Sequence, residues 1–136
     1  MTNIPTSIPG ALRRNETIKI VPKGWGEERW IHNDGLYCGK LLVLKQDKHC
    51  SLHYHQKKTE TFYIASGRLR IELTDLDGAN QQPPQIREVF EMSEGDAILL
   101  TPGLVHRFTG LAPETHIFEF STEHFDEDSH RVVKGD

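Results

Sequence analysis

The sequence predicts an all-β fold, a barrel or sandwich in one domain, and three observations carry that prediction. Apolar or alternating runs of four to eight residues recur about nine times at close spacing, the signature of many short strands. Gly, Pro and Asp turn chemistry separates them, as in Ser66-Gly67, Ser93-Glu94-Gly95 and Pro102-Gly103. No amphipathic stretch is long enough to make a core helix. At 136 residues the chain is one domain's worth of protein and buries enough surface to need no disulfide staples.

Taken in order, residues 1–17 hold Pro5, Pro9 and Gly10 without a clean period and are expected to form an N-terminal arm. The barrel is expected over 18–122. Glu28, Trp30 and His32 alternate with Arg29 and Ile31, as in a half-buried strand over Trp25 to His32. Leu41 to Lys45 is a short apolar strand. Cys50 to His55 is the next, with Ser51, His53 and His55 on one face. Glu60 to Ala65 is rich in aromatic and β-branched residues. Leu69, Ile71 and Leu73 then alternate with Arg68, Arg70 and Glu72, the clearest period of two in the chain. Thr74 to Gln85, with Asp77-Gly78 and Pro83-Pro84, reads as a long loop. Glu88 to Met92, Asp96 to Leu100, Val105 to Thr109 and His116 to Ser121 complete the strands. Residues 123–136, with the acidic run Asp126-Glu127-Asp128, are expected to be a solvated polar tail.

Composition excludes several classes of function. A net charge of -4 with mixed signs offers no basic stripe to a phosphate backbone, so no nucleic-acid partner is expected. No apolar run reaches membrane-span length, and no signal-type apolar segment opens the chain, so a cytoplasmic protein is expected. Cys38 and Cys50 are expected to be free, unreactive thiols. Ile4, Ile8, Leu12 and Ile18 in and beside the arm are apolar surface that a small barrel cannot bury alone, which predicts a homodimer.

Histidine is the compositional outlier, with eight in the chain. His53 and His55, at i and i+2 on a strand, point the same way about 6–7 Å apart and can lean onto one ion. An H-x-H pair alone is weak evidence. Glu60 follows after a tight connection and shares parity with Phe62 and Ile64, so it would face inward beside the histidines. An inward carboxylate among apolar residues is costly unless it meets a cation. The competing reading turns that strand over and leaves Glu60 in water. His106 follows a turn on the strand beginning at Val105 and could close the set, or could simply donate to a backbone carbonyl. Three nitrogens and one oxygen around an ion leave positions open, as catalytic sites do, and suit zinc, manganese, iron, cobalt or nickel alike.

These residues resemble a family. His53-x-His55-x4-Glu60-x6-Gly67 is similar to the first cupin motif, and Gly95-Asp96-x5-Pro102-Gly103-x2-His106 to the second. Asp47 stands where the first motif usually opens with glycine, and Thr101 where the second usually has proline. The resemblance runs from about Trp25 to Phe120. It implies a cupin, jelly-roll-like β-barrel in which His53, His55, Glu60 and His106 hold one divalent metal ion.

Further stretches resemble sugar isomerases within that fold. Pro22-Lys23-Gly24-Trp25-Gly26-Glu27-Glu28 looks like the opening of the isomerase domain of type II phosphomannose isomerases. Ser51 to His55, Glu60 to Tyr63, Pro102 to Arg107 and Phe118 to Thr122 resemble the same group. Lys58, two residues before Glu60, is similar to a lysine of D-lyxose isomerases, although beside Lys57 it could equally be a solvated loop residue. The resemblance implies a metal-dependent aldose–ketose isomerase working through an enediolate on a small-molecule substrate, a sugar or sugar phosphate. The alternatives are a metal-dependent dioxygenase and a non-catalytic sugar-binding cupin. Proton transfer needs a base beyond the metal ligands, and the candidates are Glu119, Lys58 and Tyr63. Arg107 would be the natural phosphate or hydroxyl contact, but it ranks low because its alternation with His106 could turn it outward.

Overall fold

Residues 11–136 are described in a computed structural model, and eleven strands are found among them. They are β1 (Lys19–Lys23), β2 (Gly26–Asn33), β3 (Cys38–Lys45), β4 (Leu52–Tyr54), β5 (Glu60–Ser66), β6 (Arg68–Thr74), β7 (Glu88–Ser93), β8 (Ala97–Leu100), β9 (Val105–Gly110), β10 (Glu114–Ser121) and β11 (His130–Val133). One sheet runs β1-β2-β3-β10-β5-β8 and the other β11-β4-β9-β6-β7, with antiparallel neighbours throughout. The two face each other, which is the all-β barrel the alternation predicts.

Strand parity decides what fills the barrel. Leu69, Ile71 and Leu73 of β6 are buried and meet Phe62, Ile64, Leu42, Leu44 and Ile117 from the opposite sheet. Trp25 and Phe108 stand edge to face at 5.3 Å within this core. The inward rows of the larger sheet then change character toward one end. On β3 the buried row runs Leu44, Leu42, Lys40; on β10 it runs Ile117 then Glu119; on β5 it runs Ile64, Phe62, Glu60. One end of the barrel is therefore a dry core and the other is lined by charge.

Turns hold this register. Gly67, with φ of 88°, joins β5 to β6; a Cβ there would lie 2.6 Å from the Thr115 hydroxyl. Asp47, at the place where the motif usually has glycine, takes φ of 62°, a left-handed conformation that aspartate tolerates better than most residues.

Two expectations are corrected. The loop from Thr74 to Gln85 contains a helical turn, α1 (Leu76–Ala79), capped by Asp75, whose carboxylate accepts the Gly78 N–H at 2.6 Å. The stretch after Ser121 is no solvated tail: it supplies β11, which pairs with β4, and it buries Asp128. Within the expected barrel span, the chain also forms β1 before Trp25, a strand not anticipated individually. Ile4 and Ile8 of the expected arm lie outside the described residues. No helix among the described residues is long and apolar enough to cross a membrane.

Candidate metal centre and its pocket

His53 lies on β4, His55 just after it, Glu60 opens β5 and His106 lies on β9 directly opposite His53. The three imidazoles come together: His53 and His106 have ring centroids 4.4 Å apart, His53 and His55 5.1 Å, His55 and His106 5.7 Å. One nitrogen from each lies within 4.8 Å of the others, a group able to hold a metal ion.

Backbone carbonyls fix which nitrogen faces the centre. Nδ1 of His53 sits 2.8 Å from the Ser51 carbonyl, Nδ1 of His55 3.0 Å from that of Asp128, and Nδ1 of His106 3.0 Å from that of Leu104. A carbonyl only accepts, so each Nδ1 carries the proton and each Nε2 presents a lone pair. Burial pushes His53 well below the usual imidazole range, with neighbouring His106 adding to it. Burial likewise takes His55 down to about 4, against the upward pull of Glu60. His53 and His55 are thus neutral at pH 7, the state that ligates a metal.

Glu60, 2% exposed, brings Oε1 to 3.2 Å from Nε2 of His106 and 3.5 Å from Nε2 of His55. Both Glu60 oxygens and the His106 Nε2 are buried without a hydrogen-bond partner among the described residues. Two lone-pair atoms facing each other in a closed space repel, and a cation between them removes the conflict. The donor set therefore fits a divalent metal held by His53, His55, His106 and Glu60.

A second charged group adjoins it. Lys58, 3% exposed, is no solvated loop residue: its ammonium lies 3.0 Å from Glu60 Oε2, 3.0 Å from Glu119 Oε2 and 3.0 Å from His124 Nδ1. The contact with Glu60 is an ion contact off the hydrogen-bond line; the other two are hydrogen bonds. Burial pulls the Lys58 ammonium toward neutrality, but the two carboxylates outweigh that and keep it charged. Burial and neighbouring Glu60 push the Glu119 carboxyl up, against the pull of Lys58 and Lys40. Next along the wall, Lys40 is buried 3.4 Å from Glu28 and 4.2 Å from the centre of the Trp30 ring.

His53, His55, Glu60, Lys58, Glu119 and Lys40 line a cavity of about 160 Å³ at the charged end of the barrel. Glu119 and Lys58 face into it, as the candidate roles require. Tyr63 does not: it is 40% exposed on the outer side of β5, three residues from Glu60 and so of opposite parity. Arg107 also stays outside, paired through two nitrogens with Glu72 at 2.9 and 3.0 Å. Both cysteines are free and buried, and burial pushes the Cys50 thiol up to about 12.

Three participants went unread in the sequence. Lys40 could have been found, since it shares inward parity with Leu42 and Leu44. His124, expected in a polar tail, touches Lys58 and packs edge-on against Trp30 at 5.2 Å. Asp128 accepts the backbone N–H groups of Gln56, Lys57 and Lys58 and so shapes the connection between His55 and Glu60.

Comparison with known proteins follows the same lines. Residues 40–118 match the family model described as "Cupin domain". No curated protein matches the chain. Among solved structures it is similar to the capsular polysaccharide assembling protein CapF from Staphylococcus aureus, with a TM-score of 0.69 and 15% identity over 85% of this chain and 32% of that one. It is similar to KdgF from Halomonas sp., with a TM-score of 0.68 and 14% identity over 84% of this chain and 95% of that one. A variant of the Bacillus subtilis oxalate decarboxylase gives a TM-score of 0.70 and 16% identity over 85% of this chain and 30% of that one. The chain thus spans about a third of CapF and of the decarboxylase, and nearly all of KdgF. At these identities the likeness is one of fold.

Proposed function

The chain belongs to the cupin family, and from that premise we propose that it is a divalent-metal aldose–ketose isomerase acting on a small sugar or sugar phosphate. The observation that carries this reading is the buried Glu119–Lys58 pair, set in the pocket wall beside the metal ligand Glu60. When bound, the metal supplies a positive centre that draws negative charge onto adjacent substrate oxygens. His53, His55, His106 and Glu60 would hold it, and an imidazole ligand brings no charge of its own to offset the metal's.

Glu119 is the base that takes the proton from one carbon and returns it to the neighbour. Its carboxyl is pushed upward by burial, toward the working pH, which is where a group that must both accept and release a proton performs best. Lys58 positions Glu119 and separates it from Glu60, so the two carboxylates keep distinct tasks. Tyr63, on the outer face, takes no part.

The test is incubation of metal-loaded protein in deuterated water with aldoses, ketoses and their phosphates, reading deuterium at C1 and C2. Exchange that Glu119→Gln lowers by about a hundredfold or more, with metal content unchanged, supports the reading. Oxygen consumption without exchange would identify an oxygenase, and ligand binding with neither would identify a binding protein.

A further inference from the structure

The C-terminal segment forms part of the cavity wall, and two cations stand in it with no acidic partner among the described residues. Arg131 lies on β11 with His53 as its cross-strand partner on β4. Cross-strand partners in an antiparallel pair share a face about 5 Å apart, so Arg131 leans to the same side as the metal ligand. Its neighbours confirm the alternation: His130 turns outward and stacks on Tyr54 at 5.0 Å. Lys134 follows at the end of the strand, and both residues line the cavity while remaining exposed to solvent.

The other charges of the cavity are already engaged. Lys58 serves Glu60 and Glu119, while Lys40 and Lys23 share Glu28 at 3.4 and 4.0 Å. The Asp136 carboxylate accepts the His49 N–H at 2.8 Å and lies 3.7 Å from its imidazole. Among the described residues no carboxylate pairs with Arg131 or Lys134. The segment is also seated rather than loose. Asp136 N–H donates to the His49 carbonyl at 3.0 Å, and Gly135 and Gly24 are packed so closely that a Cβ at either would strike backbone within 2.4 Å.

We infer that Arg131 and Lys134 form an oxyanion subsite, and that the protein selects a small polyhydroxy ligand bearing a carboxylate or phosphate over a neutral sugar. The inference deepens the proposed function, resting on it only for the premise that this cavity receives the ligand. A guanidinium presents paired N–H donors that match the two oxygens of a carboxylate or phosphate, and an ammonium adds a point charge beside it. The ligand's hydroxylated end is then directed toward the metal centre beside His53 and His55, and its charged end stays with Arg131 and Lys134.

The experiment is calorimetric titration of the manganese-loaded protein with D-galacturonate, D-glucose 6-phosphate and D-glucose. At least one anionic probe should bind about tenfold or more tighter than glucose, and raised salt should narrow the gap. Arg131→Gln should erase that margin while leaving metal content and glucose affinity unchanged. Arg131→Lys should keep part of it, and Lys134→Gln should weaken it less. The anion that suffers more from Arg131→Gln tells carboxylate from phosphate. Equal affinity of glucose and both anions overturns the inference, as does an Arg131→Gln protein with the full margin or no anion binding at millimolar concentration. Anion selectivity without deuterium exchange leaves the subsite standing and sinks the isomerase; exchange on neutral sugars without anion preference does the reverse.

Discussion

Replacing Asp128 by alanine should cost this small domain a large part of its stability. The carboxylate, 4% exposed, accepts three successive backbone N–H groups: Gln56 at 2.9 Å, Lys57 at 3.2 Å and Lys58 at 3.1 Å. A hydrogen bond to a charged acceptor contributes about 1.5–3 kcal/mol, but three sharing one carboxylate do not add in full. Gln56 and Lys57 are exposed and water can reach their amides once the carboxylate is gone; Lys58 is buried and its N–H is orphaned. These considerations place the loss at about 3–5 kcal/mol, against a total of about 5–15 kcal/mol for a typical domain. Asp128→Asn keeps one oxygen and turns an NH2 toward the remaining donors, so it should cost about half as much. Urea unfolding of chelator-treated protein at pH 7 measures both. The carboxyl is pushed up by burial, but the three N–H groups outweigh this and hold it below the usual aspartate value of 3.8. Its contribution is therefore present above that value and lost as pH falls through the lowered one, so the difference between wild type and Asp128→Ala should stay constant from pH 7 to about 4 and then shrink. The connection also carries Lys58 and joins two metal ligands, and such supporting contacts typically affect metal affinity about 10–100-fold. A loss under about 1 kcal/mol, with metal affinity intact, would refute this account of the loop.

Metal analysis should show that His53→Ala and His55→Ala abolish tight binding, while His130→Ala, whose ring stacks outward on Tyr54, retains it. In chelator-treated protein His55 titrates near 4 rather than 6.5, so its stabilising neutral form is fully favoured above 6.5 and about 3 kcal/mol is lost as pH falls from there to about 4. Metal release should likewise begin below the ordinary histidine range, and a release midpoint at 6.5 would contradict the burial of His53 and His55. Tyr63, Leu99 and Phe120 are exposed on the outer face of one sheet, where Thr61 links Leu99 to Phe120 across the strands. This face is expected to pack against a second copy, so light scattering at micromolar concentration should give a dimer that Leu99→Lys converts to monomer.

What the sequence revealed and what it hid follow from the range of each interaction. The candidate metal ligands could be brought together on paper because parity and turn chemistry are local: His53 and His55 share a face by spacing alone, and Glu60 shares one with Phe62. The same rule excludes Tyr63, which stands three residues from Glu60 and so on the opposite face of β5. Lys58 could not be resolved locally, because the connection that turns it inward is shaped by Asp128, 70 residues away. Asp128 in turn reads as one of three acidic residues in a polar stretch, since its partners are backbone N–H groups and backbone leaves no mark on a sequence. Only Val132-Val133 hints that the chain re-enters a sheet after Ser121, too short a run to separate strand from coil. Yet that pairing is what sets Arg131 beside His53. The candidate metal ligands come from β4 and the residue after it, β5 and β9, within the span of the two motifs, whereas part of the wall around them is assembled from the C-terminal segment. A cupin can therefore keep its ligands while changing what its cavity admits, and substitutions in this C-terminal segment should alter ligand preference without altering metal content.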